Sequence, residues 1–225
     1  MVLVVAFHSA DANDLLVAFT VLDTSTDVVN VHRLPVHTLT PKNAEFALKS
    51  ITMHRAADVV TFNGSGFGFR LLADRINTPD IPYNAVTKTD IAEIALMHTD
   101  IFTDFALDRG FRVSLEAACK GIGHPYARQS PAHLWESGQN TQAVDACANE
   151  ARAIRALYAY ASKWGRLRWE TASGTVRAWA LPTAPEFRPV YVALDHYVSK
   201  PPDVSWMKEP PKLDNDLLWA LSFFY

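Results

Sequence analysis

Cysteine is nearly missing from this chain: 225 residues hold two, Cys119 and Cys147, far apart and with no CxxC and no clustered histidine beside them. That argues against a disulfide framework and against a structural zinc site, and points to a reducing compartment. Charge of one sign is missing too. Lys+Arg 21 against Asp+Glu 24 gives a net −3, which excludes a uniformly basic coat for nucleic acid but leaves room for a local groove. Long apolar runs are absent as well. The opening MVLVVAF has no basic leader and stops at His8, too short for a signal peptide or for the roughly 20 residues a bilayer requires. The expectation is therefore a soluble, intracellular chain, cytoplasmic or within a viral assembly, not secreted and with no membrane partner. With 49% hydrophobic and 11% aromatic residues, a packed core is available and no disorder signature is present. The length fits one large domain, or one domain with an appendage, since single cores stop growing near ~250–300 residues.

Val2 to Phe7 is a continuous Val-rich run, the pattern of a strand buried on both faces and central in a sheet. Leu15 to Leu22 and Val28 to Leu34 flank the polar turn Asp23 to Asp27 and complete an antiparallel meander. Thr40-Pro41 opens a helix expected over 41–54. Asp58 to Phe62 reads as a short strand ending at Asn63-Gly64, with a helix over Phe67 to Ile76. One apolar stripe from Ile91 runs to about 107, Ser114 opens a short helix stopped by Gly121 and Gly123, and a long helix through Cys147 reaches about 162. Leu167 to Thr171 and Thr175 to Leu181 form a hairpin. Seven of the 13 prolines lie beyond it, with Trp206 and Trp219, as in a tail wrapped on the domain.

The most unusual local sequence is Phe62-Asn63-Gly64-Ser65-Gly66-Phe67-Gly68-Phe69. It fails as a dinucleotide fingerprint, because Phe69 stands where the third glycine belongs, and it fails as a kinase glycine loop. A tight strand-to-helix turn whose glycines supply positive φ is the plain reading.

The order of these pieces resembles the ribonuclease-H-like DEDD 3′–5′ exonuclease superfamily. Three strands and a helix precede the strand ending in Phe62-Asn63-Gly64. Helices carrying His98-Thr99-Asp100, Ser114-Leu115-Glu116 and Trp135-Glu136-Ser137-Gly138 follow, then the long helix through Cys147. The resemblance covers about 1–165. It implies an α/β fold with a ribonuclease-H-like mixed central sheet flanked by helices, and residues 166–225 as a β-hairpin and Pro/Trp-rich extension packed on it. The hairpin around Gly174 and Trp206-Met207 look like additions in some bacterial and viral members.

That superfamily cleaves phosphodiesters with two Mg²⁺ or Mn²⁺ ions held by carboxylates. The resemblance places its Asp-x-Glu pair on His8-Ser9-Ala10, its next aspartate on Gly68, and its last on Glu150, with Asp145 and Ala146 where a general base belongs. Against the +4 of two ions only Glu150 remains, so no metal is expected. If the chain were active, Glu150, His8 and Asp11 or Asp14 would share a single Mg²⁺ or Mn²⁺; Asp145 lies about 140° away around the helix. His8 is more often an interior hydrogen-bonded histidine than a ligand in such a place, and Glu150 reads equally as an ordinary helix-surface carboxylate.

Arg152 to Trp169 holds five cations and no acid, interleaved with Tyr158, Tyr160, Trp164 and Trp169. Cations track phosphates and rings stack bases, so Arg152, Arg155, Lys163 and Trp164 are candidate contacts for single-stranded nucleic acid, joined by Asn63 and Phe67 of the turn. The same cations also suit a helix C-terminus with its rings packed on the sheet. The expectation is a degenerate exonuclease-like protein that binds nucleic acid or serves in an assembly. The alternatives are an active exonuclease with displaced ligands and a purely structural protein. The apolar end, Leu217 to Tyr225, must be buried on the domain, in a homo-oligomer or on a protein partner.

Overall fold

The computed structural model describes residues 2–10, 15–34, 51, 59–76, 88–211 and 217–222. The helix expected over 41–54 lies outside them apart from buried Ile51, as do Asp11 and Asp14.

A five-stranded sheet is built from β1 (Leu3–Ala10), β2 (Leu15–Asp23), β3 (Val28–Arg33), β4 (Val59–Thr61) and β5 (Thr99–Asp100), in the order β3-β2-β1-β4-β5. The first three strands form the expected antiparallel meander. β4 runs parallel to β1, with Leu3 opposite Val59, and β5 runs parallel to β4. β1 is central, as its Val-rich run requires. Its odd residues Leu3 and Val5 pack with Phe69, Leu72 and Ile91 on one side, while Val4 and Ala6 meet Phe105, Ile154 and Leu157 on the other. Each fully buried Leu or Phe contributes on the order of 1.5–3 kcal/mol. The architecture is thus α/β, a mixed sheet flanked by helices.

Helices α1 (Phe69–Ile76) and α2 (Lys88–Met97) follow β4, and α3 (Ile101–Arg109), α4 (Leu115–Ile122), α5 (Pro131–Glu136) and α6 (Asn140–Trp164) complete the layers. The single stripe expected from Ile91 to about 107 is two helices. The break comes at β5, where the Asp100 side chain accepts N–H bonds from Phe102 and Thr103 and so restarts the helix as its N-cap. Ser114 caps α4 through Ala117 N–H, and Ser130 caps α5 ahead of Pro131.

β6 (Arg166–Glu170) and β7 (Val176–Ala180) form the hairpin. The tail is more regular than its prolines suggest, for α7 (Val190–Ser199) begins directly after Pro189. Val190, Ala193 and Leu194 carry its helical spacing into a cluster with Leu96 and Leu107. Nor is the extension separable: Leu167, Trp179, Leu181 and Phe187 share the core of Val4 and Ile154. Buried Arg188 donates through Nε to Asp104 at 2.7 Å and through a terminal nitrogen to Asp108 at 3.2 Å, and Trp179 Nε1 donates to Asp108 at 2.8 Å. Around α8 (Leu218–Leu221), Leu217 and Ala220 are buried in the cluster of Ala92 and Leu194, and Trp219 Nε1 donates to the Ser65 carbonyl at 3.0 Å. Residues 217–221 therefore dock on their own chain. No helix among the described residues is long and apolar enough to cross a membrane.

Candidate functional site

β4 ends at Thr61, and the chain then enters a five-residue π-helical turn, Gly64–Gly68, before α1. The positive φ belongs to Asn63, at 60°, and Gly64 and Gly68 serve a different need from the one expected of them. A Cβ on Gly64 would sit 2.4 Å from Thr61 Oγ1, and one on Gly68 would sit 2.1 Å from the Phe7 ring. These glycines are small because side chains lie against them.

Asp100 fixes the turn from β5. Its fully buried carboxylate accepts Asn63 N–H at 2.7 Å, Ser65 N–H at 2.9 Å and the Thr103 hydroxyl at 2.9 Å, besides its caps. His98 Nδ1 donates to the Ile94 carbonyl at 2.9 Å, which leaves Nε2 to accept the Thr61 hydroxyl at 2.8 Å. Burial keeps this imidazole neutral, below its ordinary range.

The turn, the end of β1 and the start of α4 enclose an open cleft of about 380 Å³. Phe7, Phe62, Phe67, Phe102 and Tyr126 line it with rings, and Asn63, Ser114, Glu116, Arg128 and Glu150 supply its polar groups. Glu150 comes from α6, where its Oε2 lies 3.5 Å from His8 Nδ1 and accepts the Tyr126 hydroxyl at 3.5 Å. The other ring nitrogen of buried His8 bonds Thr20 Oγ1 at 2.9 Å. Burial pulls the imidazole down, but hydrogen bonding with Cys147 and with Glu150, together with the Glu150 charge, outweighs it and raises the ring to about 9. On that balance the ring holds its proton at neutral pH, with Nε2 bonded to Thr20 and Nδ1 facing the Glu150 carboxylate. Burial, and then the Glu150 charge, push the Tyr126 phenol up, so it stays protonated.

A pair of divalent ions does not fit these residues. Hard cations need several oxygen donors; of the two carboxylates of the cleft, Glu150 is held between His8 and the Tyr126 phenol and Glu116 lies 3.8 Å from Lys120. Among the described residues no group of three or more His, Cys, Asp or Glu is arranged to hold a metal ion.

The structure brings His8, Glu150, Asn63 and Phe67 to one place. Ala10 ends β1, two residues past His8, and Gly68 backs the Phe7 ring. The cations of α6 stand elsewhere. Arg152, two residues and about 200° around the helix from Glu150, borders with Arg155 a separate hollow beside Thr24 and Tyr158. Arg155 ion-pairs with Asp27. Lys163 lies over the Trp164 ring at 5.0 Å, about 20 Å along the axis from Glu150. Absent from the sequence reading as binding residues were Phe7, Phe62, Phe102, Tyr126 and Arg128. An aromatic and a cation in the loop Gly123-His124-Pro125-Tyr126-Ala127-Arg128 were the legible signal for the last two.

No family model matches the chain, and neither a curated protein nor a solved structure does.

Proposed function

We propose that this chain is a ribonuclease-H-like, exonuclease-like protein with a degenerate active site, which binds single-stranded nucleic acid, alone or as an assembly component, without efficient hydrolysis. The strand order supports the fold reading: an antiparallel meander, then two strands parallel to the first, with the cleft where β1 and β4 end. The observation that carries the function is the His8–Glu150 contact at 3.5 Å. An imidazolium takes up the charge of the carboxylate that would otherwise face a metal, and the rings around it offer stacking surfaces.

The test is hydrolysis of end-labelled single-stranded DNA and RNA with Mg²⁺ and with Mn²⁺ beside an EDTA control, with binding followed in the same samples. The expected result is salt-sensitive binding and no cleavage. Chelator-sensitive 3′ trimming that disappears in Glu150→Gln would overturn the reading and make the chain a working nuclease.

A further inference from the structure

The cleft is rich in rings but poor in free positive charge: Glu116 and Glu150 stand against Arg128, and His8 is committed to Glu150. A strand held there needs its phosphates met elsewhere, since phosphate neutralisation supplies most sequence-independent affinity. A second hollow, of about 540 Å³, supplies what the cleft lacks. It lies between the C-terminal ends of α3 and α7 and the Pro201-Pro202 segment, with Arg109, Lys200, His196, Phe111 and Trp206 on its walls.

Three observations point to its ligand. Arg109 and Lys200 are exposed, and neither has an ion-pair partner among the described residues. Trp206 is 68% exposed, an unusual position for so large a ring. Its indole N–H donates to the Asp203 carbonyl at 3.2 Å, and Phe111 meets it edge-on at 6.3 Å, so the ring is held while its surface stays open. Of the two acids of the wall, Asp108 is charge-paired by Arg188 and bonded by Trp179, and Asp203, which accepts the Ser205 N–H at 3.0 Å and stays ionised, is the one anion set against the two cations.

The hollow is also in line with the cleft. Phe102 lines the cleft and Arg109 the hollow, seven residues apart on α3, which places them on nearly the same helix face about 10 Å apart. The next segment makes the same link, with Phe111 in the hollow and Val113 and Ser114 in the cleft. We infer that the Trp206 hollow is a second contact site for single-stranded nucleic acid, stacking a base on the indole while Arg109 and Lys200 hold adjacent phosphates of a strand that leaves the cleft.

This rests on the reading of the cleft as a nucleic-acid site, and the experiment separates the two. Fluorescein-labelled oligo-dT and oligo-U of 12 nucleotides are titrated with the full chain by anisotropy across a salt series. Trp206→Ala is expected to weaken binding about 5- to 100-fold, with Trp206→Phe retaining most of it. The Arg109→Ala/Lys200→Ala pair is expected to flatten the log–log salt slope by about 1.4, two phosphates at about 0.7 each. Both sites are exposed, so circular dichroism and unfolding midpoints should match the parent. If the parent binds and these variants bind identically, with the same slope, the hollow is not a contact site and only this inference falls. If the parent binds neither strand at any salt concentration, both readings fall together.

Discussion

Asp100 accepts the backbone N–H of Ser65 at 2.9 Å across 35 residues of sequence, and this bond joins the turn after β4 to the helix after β5. The carboxylate is fully buried and bonded to Asn63, Phe102 and Thr103 as well. Removing it strands several buried donors at once. Asp100→Ala is expected to lose about 3–5 kcal/mol in urea unfolding, and Asp100→Asn clearly less, because one acceptor oxygen remains. Equal losses would mean that the charge, and not the hydrogen bonds, holds the turn.

The contacts of His8 with Cys147 and with Glu150 make stability depend on pH. The folded imidazole titrates near 9, above its ordinary 6.5, so the folded state keeps a proton that the unfolded chain gives up between those values. The contribution is full below about pH 6.5 and is lost as pH rises through about 9, with a ceiling of roughly 3 kcal/mol. Glu150→Gln should be less stable near pH 6 and should show a flatter profile from there to pH 8.5. Parallel profiles for the two proteins would remove Glu150 as the partner of His8.

Gly121 and Gly68 both sit under other groups, but the groups differ. A Cβ on Gly121 would lie 2.4 Å from the Trp169 backbone nitrogen, whereas Gly68 faces the Phe7 side chain. Alanine gains about 1 kcal/mol of helix propensity at Gly121, and overpacking costs about 1–3 kcal/mol or more. Gly121→Ala is expected to be net destabilising. Gly68→Ala is expected to be rescued in part by Phe7→Ala, and double-mutant unfolding curves would expose additivity in place of rescue.

Arg188 and Asp104 are buried at 4% and 0% side-chain exposure. Burial raises the Asp104 carboxyl to about 6 even against the guanidinium, so desolvation outweighs attraction. Arg188→Met alone should cost about 3–5 kcal/mol, and Arg188→Met/Asp104→Leu should recover most of it. A double variant no better than the single would show that the pair is net stabilising.

α6 was legible from its long, consistent helical period, and β1 and the meander from unbroken β-rich runs around a polar turn. β5 was not: its two residues leave no period, and only the tertiary role of Asp100 divides α2 from α3. Prolines obscured α7, although Val190, Ala193 and Leu194 carry its spacing. At the site, only the resemblance linked His8 and Glu150, and the contact between them at 3.5 Å had no signature in the sequence itself. The rings of the cleft come from β1, the turn, α3 and the loop after α4, and nothing in sequence places Phe7 beside Tyr126.

Cys119 and Cys147 are free thiols with no exposure, one on α4 and one on α6. Burial lifts the Cys119 thiol to about 12, so an alkylating reagent reaches it only while the structure is transiently open. Cys119 lies two residues from the glycine on which β6 rests, and Cys147 beside His8. The chain thus carries two internal timers, one clocking the release of the hairpin and the other the loosening of the cleft wall, each readable by mass spectrometry without an introduced label.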